Sequence, residues 1–327
     1  MSLSELLSPR DTIVLRPAFP AKVPQAKTAW APTVFHEPWW LSAASKGSYQ
    51  EVQQESGGKL VGRLPFVVTK KYGTTTIDMP MLTHFLGPAV DPGMGSDVNR
   101  LLRSIAITRK LIDGLPPASS IRFKLHRGIT DTIAFEASGF RTEVQFTAEI
   151  APDAEDALWR RMRDKTRNVI RRAEEQLTVT DAFHPASFIR LYEENLRRRG
   201  LKNYYDSALV TALITECVRR GVGRVLVALN DQSEPVSAVF VVWDNSAEYY
   251  LLSTRTSDAG NGAVSLLIWT AIRHAAQNGL IFDFDGARGL ADSSFYCGFG
   301  GTVVPRYWVS KNSFSRQIRN EILNRRR

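Results

Sequence analysis

The segment from Tyr249 to Asn278 constrains the fold of this chain more than any other. A strand pattern ends near Thr254, a turn with Gly260 and Gly262 follows, and an amphipathic helical pattern begins at Ala263. Glycines allow a tight turn and a close backbone approach to a ligand. Free N–H groups at a helix start attract anions. The segment therefore predicts a phosphate cradle, or else an ordinary strand-to-helix turn. It is not a Walker loop, because the Lys-Ser/Thr ending is missing.

Length and composition narrow the class of protein. At 327 residues and with ordinary globular composition, the chain predicts two domains. The net charge of +9 favours an anionic partner, such as nucleic acid, a membrane surface or a phosphate-rich cofactor. The alternative is a basic protein surface that faces solvent. The two cysteines and five scattered histidines have no metal-ligand spacing, which predicts a reducing compartment and no metal site. Without a signal peptide or an apolar run of about 20 residues, a cytoplasmic protein is expected.

The order of predicted elements repeats in the two halves of the chain. Each half has an apolar strand (LVGRLPFVV or VSAVFVV), a second strand, a long helix, a third strand, a short helix and a closing strand. This order predicts an α/β protein with two domains of mostly antiparallel strands. We expect a leader over 1–30, domains over 31–152 and 153–312, and a basic tail over 313–327. Pro65 predicts that the first strand lies at an edge or carries a bulge.

A basic stripe follows one face of the helix predicted from Glu155 to Gln176. Its arginines recur every three or four residues, at Arg160, Arg163, Arg167 and Arg171, with Lys165 nearby. These side chains would contact the phosphates of a cofactor, an RNA or a glycan carrier, or form a solvated helix face. A later cluster around Tyr204 and Tyr205 would line an acceptor groove or form an ordinary loop.

Two carboxylates and a phenol are the candidates for proton transfer. On a strand predicted from Leu280 to Asp285, alternation places Asp283 and Asp285 on one face. Either would serve as a general base for an amine, or would pair with an arginine or cap the next turn. The phenol of Tyr296 would protonate a leaving thiolate, or its ring would fill the core.

Together these motifs resemble the FemAB-like acyltransferases of the GNAT superfamily, in the group associated with cell-envelope and polysaccharide genes. The resemblance is carried by Lys165–Ala173 (KTRNVIRRA), Gly260–Ala263 (GNGA), Phe282–Gly286 (FDFDG) and Phe299–Gly301 (FGG). It covers Glu155 to Ser310 well and Phe35 to Ile150 loosely. It implies two tandem GNAT-like domains, each with a mixed, mostly antiparallel sheet flanked by helices.

The resemblance also implies a donor and its site. The donor would be acetyl-CoA or another acyl-CoA, with no metal, and its pyrophosphate would lie at Gly260–Ala263. The residues expected to bind it are Ser253, Arg255, Gly260, Asn261, Gly262 and Ala263. The amine acceptor would approach Asp283 and Asp285, with Arg167, Arg171, Tyr204 and Tyr205 as substrate-binding residues. The position of the usual catalytic tyrosine aligns with Phe295, so Tyr296 is displaced by one residue.

Three functions are consistent with these residues. The first is an N-acyltransferase that moves an acyl group from acyl-CoA to an amine, such as an amino sugar or a cell-envelope glycan precursor. The second is an aminoacyl transferase of the FemAB type, which would take its acyl group from aminoacyl-tRNA. The third is a non-catalytic module with a degenerate acyltransferase fold that binds a glycan or a protein partner.

Overall fold

The computed structural model describes residues 31–260, 262–286 and 289–313. These residues fall into two compact units. The first unit comprises residues 31–145 and 305–313, and the second comprises the described residues from 146 to 304. The predicted fold class is confirmed, because helices flank sheets whose strands are mostly antiparallel.

The predicted elements occur in their predicted order in both halves, with the strands Tyr49–Ser56 and Ala89–Val90 in addition and with the helices Glu155–Arg161 and Asp164–Glu174 in place of one predicted helix. The N-terminal half contains α1 (Pro38–Ser45), β1 (Tyr49–Ser56), β2 (Lys59–Lys71), β3 (Thr74–Asp78), β4 (Ala89–Val90), α2 (Asp97–Asp113), β5 (Ser120–Lys124), α3 (Ile133–Ala137) and β6 (Arg141–Ile150). The C-terminal half contains α4 (Glu155–Arg161), α5 (Asp164–Glu174), β7 (Thr178–Thr180), α6 (Pro185–Arg198), α7 (Ser207–Arg219), β8 (Gly223–Leu229), β9 (Pro235–Trp243), β10 (Ala247–Arg255), α8 (Gly262–Gln277), β11 (Ile281–Asp283), α9 (Leu290–Gly298) and β12 (Thr302–Asn312).

The sheet of the first unit has the order β1-β2-β3-β5-β12, and β4 also pairs with β2. Only β3 and β5 are parallel in this unit's described pairs. Of the two alternatives predicted from Pro65, the edge position is wrong, because β2 has partners on both sides. However, β2 does carry a bulge, where Gln54 and Glu55 of β1 pair with Gly62 and Leu60. Pro65 lies opposite Glu51 of β1, whereas β4 pairs at Arg63 and β3 begins to pair at Val67. The proline therefore occupies the gap between two short partners, where an N–H donor is not needed.

Two buried histidines lie beneath this sheet with their rings 5.0 Å apart. His126 accepts a hydrogen bond at Nδ1 from the N–H of Gly128 and donates from Nε2 to the carbonyl of Pro88, both at 3.1 Å. Burial lowers the pKa of His126 to about 4, and the charges of Arg306 and Arg127 act in the same direction. Burial likewise holds the pKa of His36 well below its usual value. Both rings are therefore neutral in the folded protein at pH 7.

The sheet of the second unit has the order β6-β11-β10-β9-β8-β7, and β10 and β11 are its parallel pair. β8 is buried along its whole length, which predicts cover on both faces. On one face, Leu226 and Val239 pack with Leu267 of α8 in the main core. On the other face, Phe240 of β9 lies 6.5 Å from the ring of Phe188 of α6. This double cover fixes the position of α8, and so of the turn that precedes it.

The single helix predicted from Glu155 to Gln176 is wrong, because the chain forms two helices with a break at Met162 and Arg163. Met162 is buried, and the N–H of Arg163 donates to the carbonyl of Gly298 at 3.0 Å. The guanidinium of Arg167 donates to the carbonyls of Met162, at 2.7 Å, and Arg160, at 3.1 Å. These contacts satisfy carbonyl groups that the end of a helix leaves open. The break turns the start of α5 towards α9.

A buried polar cluster lies near the start of β10. His274 of α8 and Glu248 of β10 are almost fully buried, and Nδ1 of His274 lies 2.5 Å from Oε2 of Glu248. Arg224 of β8 is also buried, and its guanidinium lies 5.8 Å from the ring centre of Trp243. Buried charges are stable only with partners, and Nη1 of Arg224 lies 4.0 Å from Oδ2 of Asp181.

Candidate active site

The parallel strands β10 and β11 part beyond their short paired segment. They pair from Ala247 to Tyr249 on β10 and from Ile281 to Asp283 on β11. A bulge interrupts the pairing of β10 with β9 between Tyr250 and Leu252. Because β11 ends at Asp283, the C-terminal half of β10 leaves its partner. Ligands of open α/β sheets bind beyond the carboxyl ends of such strands.

The carboxylate of Asp283 organises the end of β11. Asp283 is fully buried, and its Oδ1 accepts hydrogen bonds from Oγ1 of Thr147 at 2.7 Å and from the N–H of Asp285 at 2.9 Å. Asp285 has φ +60° and Gly286 has φ +110°, so the chain turns immediately after the strand. The predicted strand to Asp285, with both carboxylates on one strand face, is therefore wrong. Asp285 is half-buried at this turn, and the side chain of Asp283 holds the turn in place.

The turn between β10 and α8 contains the predicted phosphate cradle. Gly260 has φ +59°, which a glycine adopts without strain, and it is exposed. A side-chain nitrogen of Arg255, Nη1, donates to the carbonyl of Gly260 at 3.1 Å. Ala263 is fully buried, and Gly262 contacts helix α5. Asn261, also predicted to bind the donor, lies outside the described residues.

A cleft of about 720 Å³ opens on one side of this turn, and we call it the basic cleft. Four of its lining residues are cations with exposed side chains: Arg163, Lys165, Arg199 and Arg255. Ser253, Ser265 and Ser294 supply hydroxyl groups, and Val264, Ala291 and Phe295 supply apolar surface. Among the described lining residues none is acidic. The cleft therefore suits a ligand that is anionic at one end and apolar at the other.

Tyr250 and Ser253 connect the cleft to the bulge in β10. Oη of Tyr250 donates a hydrogen bond of 2.5 Å to Oγ of Ser253, which lines the cleft. Burial raises the pKa of Tyr250, which keeps its phenol protonated, although the hydrogen bond to Ser253 acts in the opposite direction. The ring of Tyr296 stacks on Phe284 at 4.5 Å and forms an edge contact with Tyr250 at 6.5 Å. Tyr296 thus packs at the border of the core.

The predicted substrate-binding residues are dispersed. Arg167 is bonded to the end of α4, as described above, and also forms an ion pair with Asp164. The guanidinium of Arg171 lies 5.4 Å from the ring centre of Trp159. Tyr204 is 87% exposed. Tyr205 is half-buried, with its ring 6.3 Å from that of Tyr192. None of the four predicted residues is among the described lining of the basic cleft.

Two kinds of feature would be informative in the described ranges: clusters of metal-ligating side chains and helices that could cross a membrane. No group of three or more His, Cys, Asp or Glu side chains is arranged there to hold a metal ion. Within the same ranges, none of the helices combines the length and apolar character that a bilayer crossing demands.

A family comparison identifies the part of the chain that contains this site. Residues 160–293 match the family described as "Acetyltransferase (GNAT) domain". They include β10, the turn, α8 and β11, together with every cationic residue of the basic cleft. This match covers less than half of the chain and marks residues 160–293 as similar to a GNAT domain. The resemblance to FemAB-like proteins of the GNAT superfamily is confirmed.

Solved structures show the same fold over most of the chain. FemX has a TM-score of 0.60 at 14% identity, over 83% of this chain and 90% of FemX. The C-terminal domain (DUF2156) of a putative lysylphosphatidylglycerol synthetase from Agrobacterium fabrum has a TM-score of 0.53 at 12% identity, over 84% of this chain and 87% of that domain. L-PGS from Bacillus licheniformis has a TM-score of 0.52 at 13% identity, over 85% of this chain and 88% of L-PGS. No curated protein has significant sequence similarity to the chain.

Two features of the site were absent from the sequence-based prediction. Arg199 lines the cleft from the end of α6, more than fifty residues before the turn. It is the last of three consecutive arginines, and the sequence does not show which of them faces the cleft. The contact between Tyr250 and Ser253 depends on the bulge in β10, because residues three apart on a regular strand face opposite sides. A strand of mixed polarity gives no sequence signal for such a bulge.

Proposed function

We propose that this protein is an N-acyltransferase that moves an acyl group from acyl-CoA to an amine, with an amino sugar or a cell-envelope glycan precursor as the acceptor class. The observation that carries the proposal is the parting of β10 and β11 beside the basic cleft. Coenzyme A has phosphate groups at one end and a thin, largely apolar arm at the other. The cleft has cations on α5 and α6 and apolar side chains on α8 and α9, so the two match in chemistry.

The reaction needs an amine without its proton and a protonated leaving group. The amine nitrogen would attack the acyl carbonyl carbon, the carbon–sulfur bond would break, and the amine would lose one proton. We assign Asp285 as the acceptor of that proton, directly or through water, because it is half-buried at the end of β11. Asp283 would act as a positioning residue, since both contacts at its Oδ1 hold the turn.

The leaving sulfur would take its proton from the hydroxyl of Ser253 while Oγ of Ser253 takes the phenolic proton of Tyr250, and the proton that the amine gives to Asp285 would return to Tyr250 through solvent. That hydroxyl lines the cleft and accepts a hydrogen bond from Tyr250, so its own hydrogen points to another acceptor. We assign Ser253 ahead of Tyr296, because the ring of Tyr296 stacks on Phe284. Positioning of the two substrates would supply a large part of the rate.

Aminoacyl-tRNA is the second candidate donor. The four exposed cations of the cleft would suit the phosphates of an RNA 3′ end, and the fold is shared with FemX and with lysylphosphatidylglycerol synthetases. A tRNA donor predicts binding that weakens steeply with salt, because each neutralised phosphate releases counterions. An acyl-CoA donor, with few phosphates, predicts a shallow dependence.

Calorimetric titration with acetyl-CoA tests the proposal. We expect the wild type to bind acetyl-CoA and Ser294→Trp to lose binding, because an indole at this exposed position of α9 would fill the cleft. Val218→Trp is the matched control, since Val218 is an exposed residue of α7 outside the cleft lining. Absence of binding by the wild type at millimolar acetyl-CoA would exclude acyl-CoA as the donor. Equal binding by Ser294→Trp would place the donor elsewhere.

A further inference from the structure

The turn before α8 has a depression on each side. On one side is the basic cleft. On the other is a depression of about 730 Å³, the outer groove, which is lined by Gly260, Gly262, Arg172, Glu175 and Asp231, among others. Each of the two offers a position for a phosphate near this turn. Space and charge distinguish them.

Space is limited at the first residue of α8, because α5 packs against it. A Cβ atom placed on Gly262 would lie 3.1 Å from Cβ of Ala173 and 3.2 Å from the carbonyl oxygen of Val169. A phosphate group is larger than a methyl group, so none fits between Gly262 and α5. Helix α5 thus covers the side of Gly262 on which a Cβ atom would lie, and a phosphate near the start of α8 must bind elsewhere.

Charge separates the two depressions. In the outer groove, Arg172 shares the lining with the carboxylates of Glu175 and Asp231, which would repel a phosphate. The basic cleft has four exposed cations and, among the residues described, no acidic side chain in its lining. No ion pair within the described ranges ties up Arg163, Lys165 or Arg199. Nη1 of Arg163 lies 3.5 Å from the uncharged hydroxyl of Ser294, so the positive charges of these three residues are available to an anionic ligand.

We propose that the phosphate groups of the acyl donor bind in the basic cleft, against the side chains of Arg163, Lys165 and Arg199. Helices α5 and α6 would then supply the charge that an open helix start would otherwise provide. The inference rests on the proposed transfer from a phosphate-bearing donor. It holds for the phosphates of coenzyme A and for those of a tRNA 3′ end, and binding experiments separate these two sources.

The test is calorimetric titration of the full chain with coenzyme A and, separately, filter binding of unfractionated tRNA, each at two salt concentrations. Arg163→Ala and Arg199→Ala each remove one cation from the cleft. A charge-assisted hydrogen bond contributes about 1.5–3 kcal/mol, so we expect at least about a tenfold rise in Kd for each variant. Arg198→Ala is a control on the same helix, because Arg198 is paired with Glu194 at 2.8 Å. Arg172→Ala reports on the outer groove.

Each outcome decides a separate point. Weaker binding of coenzyme A in Arg163→Ala and Arg199→Ala, with Arg198→Ala and Arg172→Ala less than twofold changed, supports the inference. If only tRNA binds and needs the same two arginines, the cleft assignment stands and the acyl-CoA donor is excluded. Unchanged affinity in both cleft variants, a larger loss in Arg172→Ala, or binding of neither probe overturns the inference. Thermal melting of each variant confirms that lost binding is not lost folding.

Discussion

The contact between Gly262 and α5 makes a sharp prediction for Gly262→Ala. The added methyl would lie 3.1 Å from Cβ of Ala173 and 3.2 Å from the carbonyl oxygen of Val169, so α5 must move by a few tenths of an ångström. Overpacking of this kind costs about 1–3 kcal/mol. Alanine regains up to about 1 kcal/mol of helix propensity, and less at a first helical position. We therefore expect a net loss of about 1–2 kcal/mol in the free energy of unfolding.

For a unit of this size, 1 kcal/mol shifts Tm by about 2–4 °C, so Gly262→Ala should melt about 2–8 °C below the wild type. Ala173→Gly removes the nearest clashing atom and by itself costs about 1 kcal/mol of helix propensity. In a double-mutant cycle by urea denaturation, the double variant should lose less free energy of unfolding than the sum of the losses in the two single variants. A Gly262→Ala protein as stable as the wild type, or strictly additive losses, would refute the tight packing of α5 on α8.

Three further predictions concern buried polar groups. Asp283→Ala should lower the free energy of unfolding, measured by urea denaturation, by about 2–3 kcal/mol, because Thr147 and a backbone N–H lose their acceptor. An Asp283→Ala protein that is as stable as the wild type but inactive would instead indicate a catalytic carboxylate. Glu248→Gln should cost about 1–3 kcal/mol in the same assay, because it replaces the acidic partner of the buried Nδ1 of His274; a loss below about 0.5 kcal/mol would contradict a contribution of this contact to stability. Because the pKa of His126 is lowered to about 4, its contribution to the free energy of unfolding is fully present above pH 6.5 and decreases from there towards pH 4, by about 2 kcal/mol between pH 7 and pH 5. Chemical denaturation of His126→Gln at pH 7 and pH 5 should show a smaller decrease than in the wild type. An equal decrease would contradict a buried, neutral His126.

Much of the fold could be predicted, because the strong hydrophobic patterns belong to elements buried by the main cores. β8, β9 and α8 pack in the second unit, and their apolar periodicity is visible in the sequence. β1 was not predicted, since its sequence, YQEVQQES, is polar and only partly buried. The break between α4 and α5 depends on the carbonyl of Gly298, which lies far away in sequence. Local patterns contain no record of such contacts.

In the candidate site, too, locally determined features could be predicted and features that depend on tertiary contacts could not. The turn at Gly260 could be predicted from its glycines, because only the local backbone conformation is involved. Which arginines face the cleft could not be predicted from their spacing. Arg167 belongs to the same helical stripe as Arg163, yet the broken helix directs it to the carbonyls of Met162 and Arg160. The stripe indicated a basic surface, and tertiary contacts decided which of its cations are available.

The most direct test of the account is a crystal structure of the protein with coenzyme A. We predict that the phosphates lie against Arg163 and Arg199 and that the sulfur lies beside Ser253, where β10 parts from β11. A donor bound in the outer groove against Arg172, or crystals grown at millimolar coenzyme A with no donor in the basic cleft, would contradict the account.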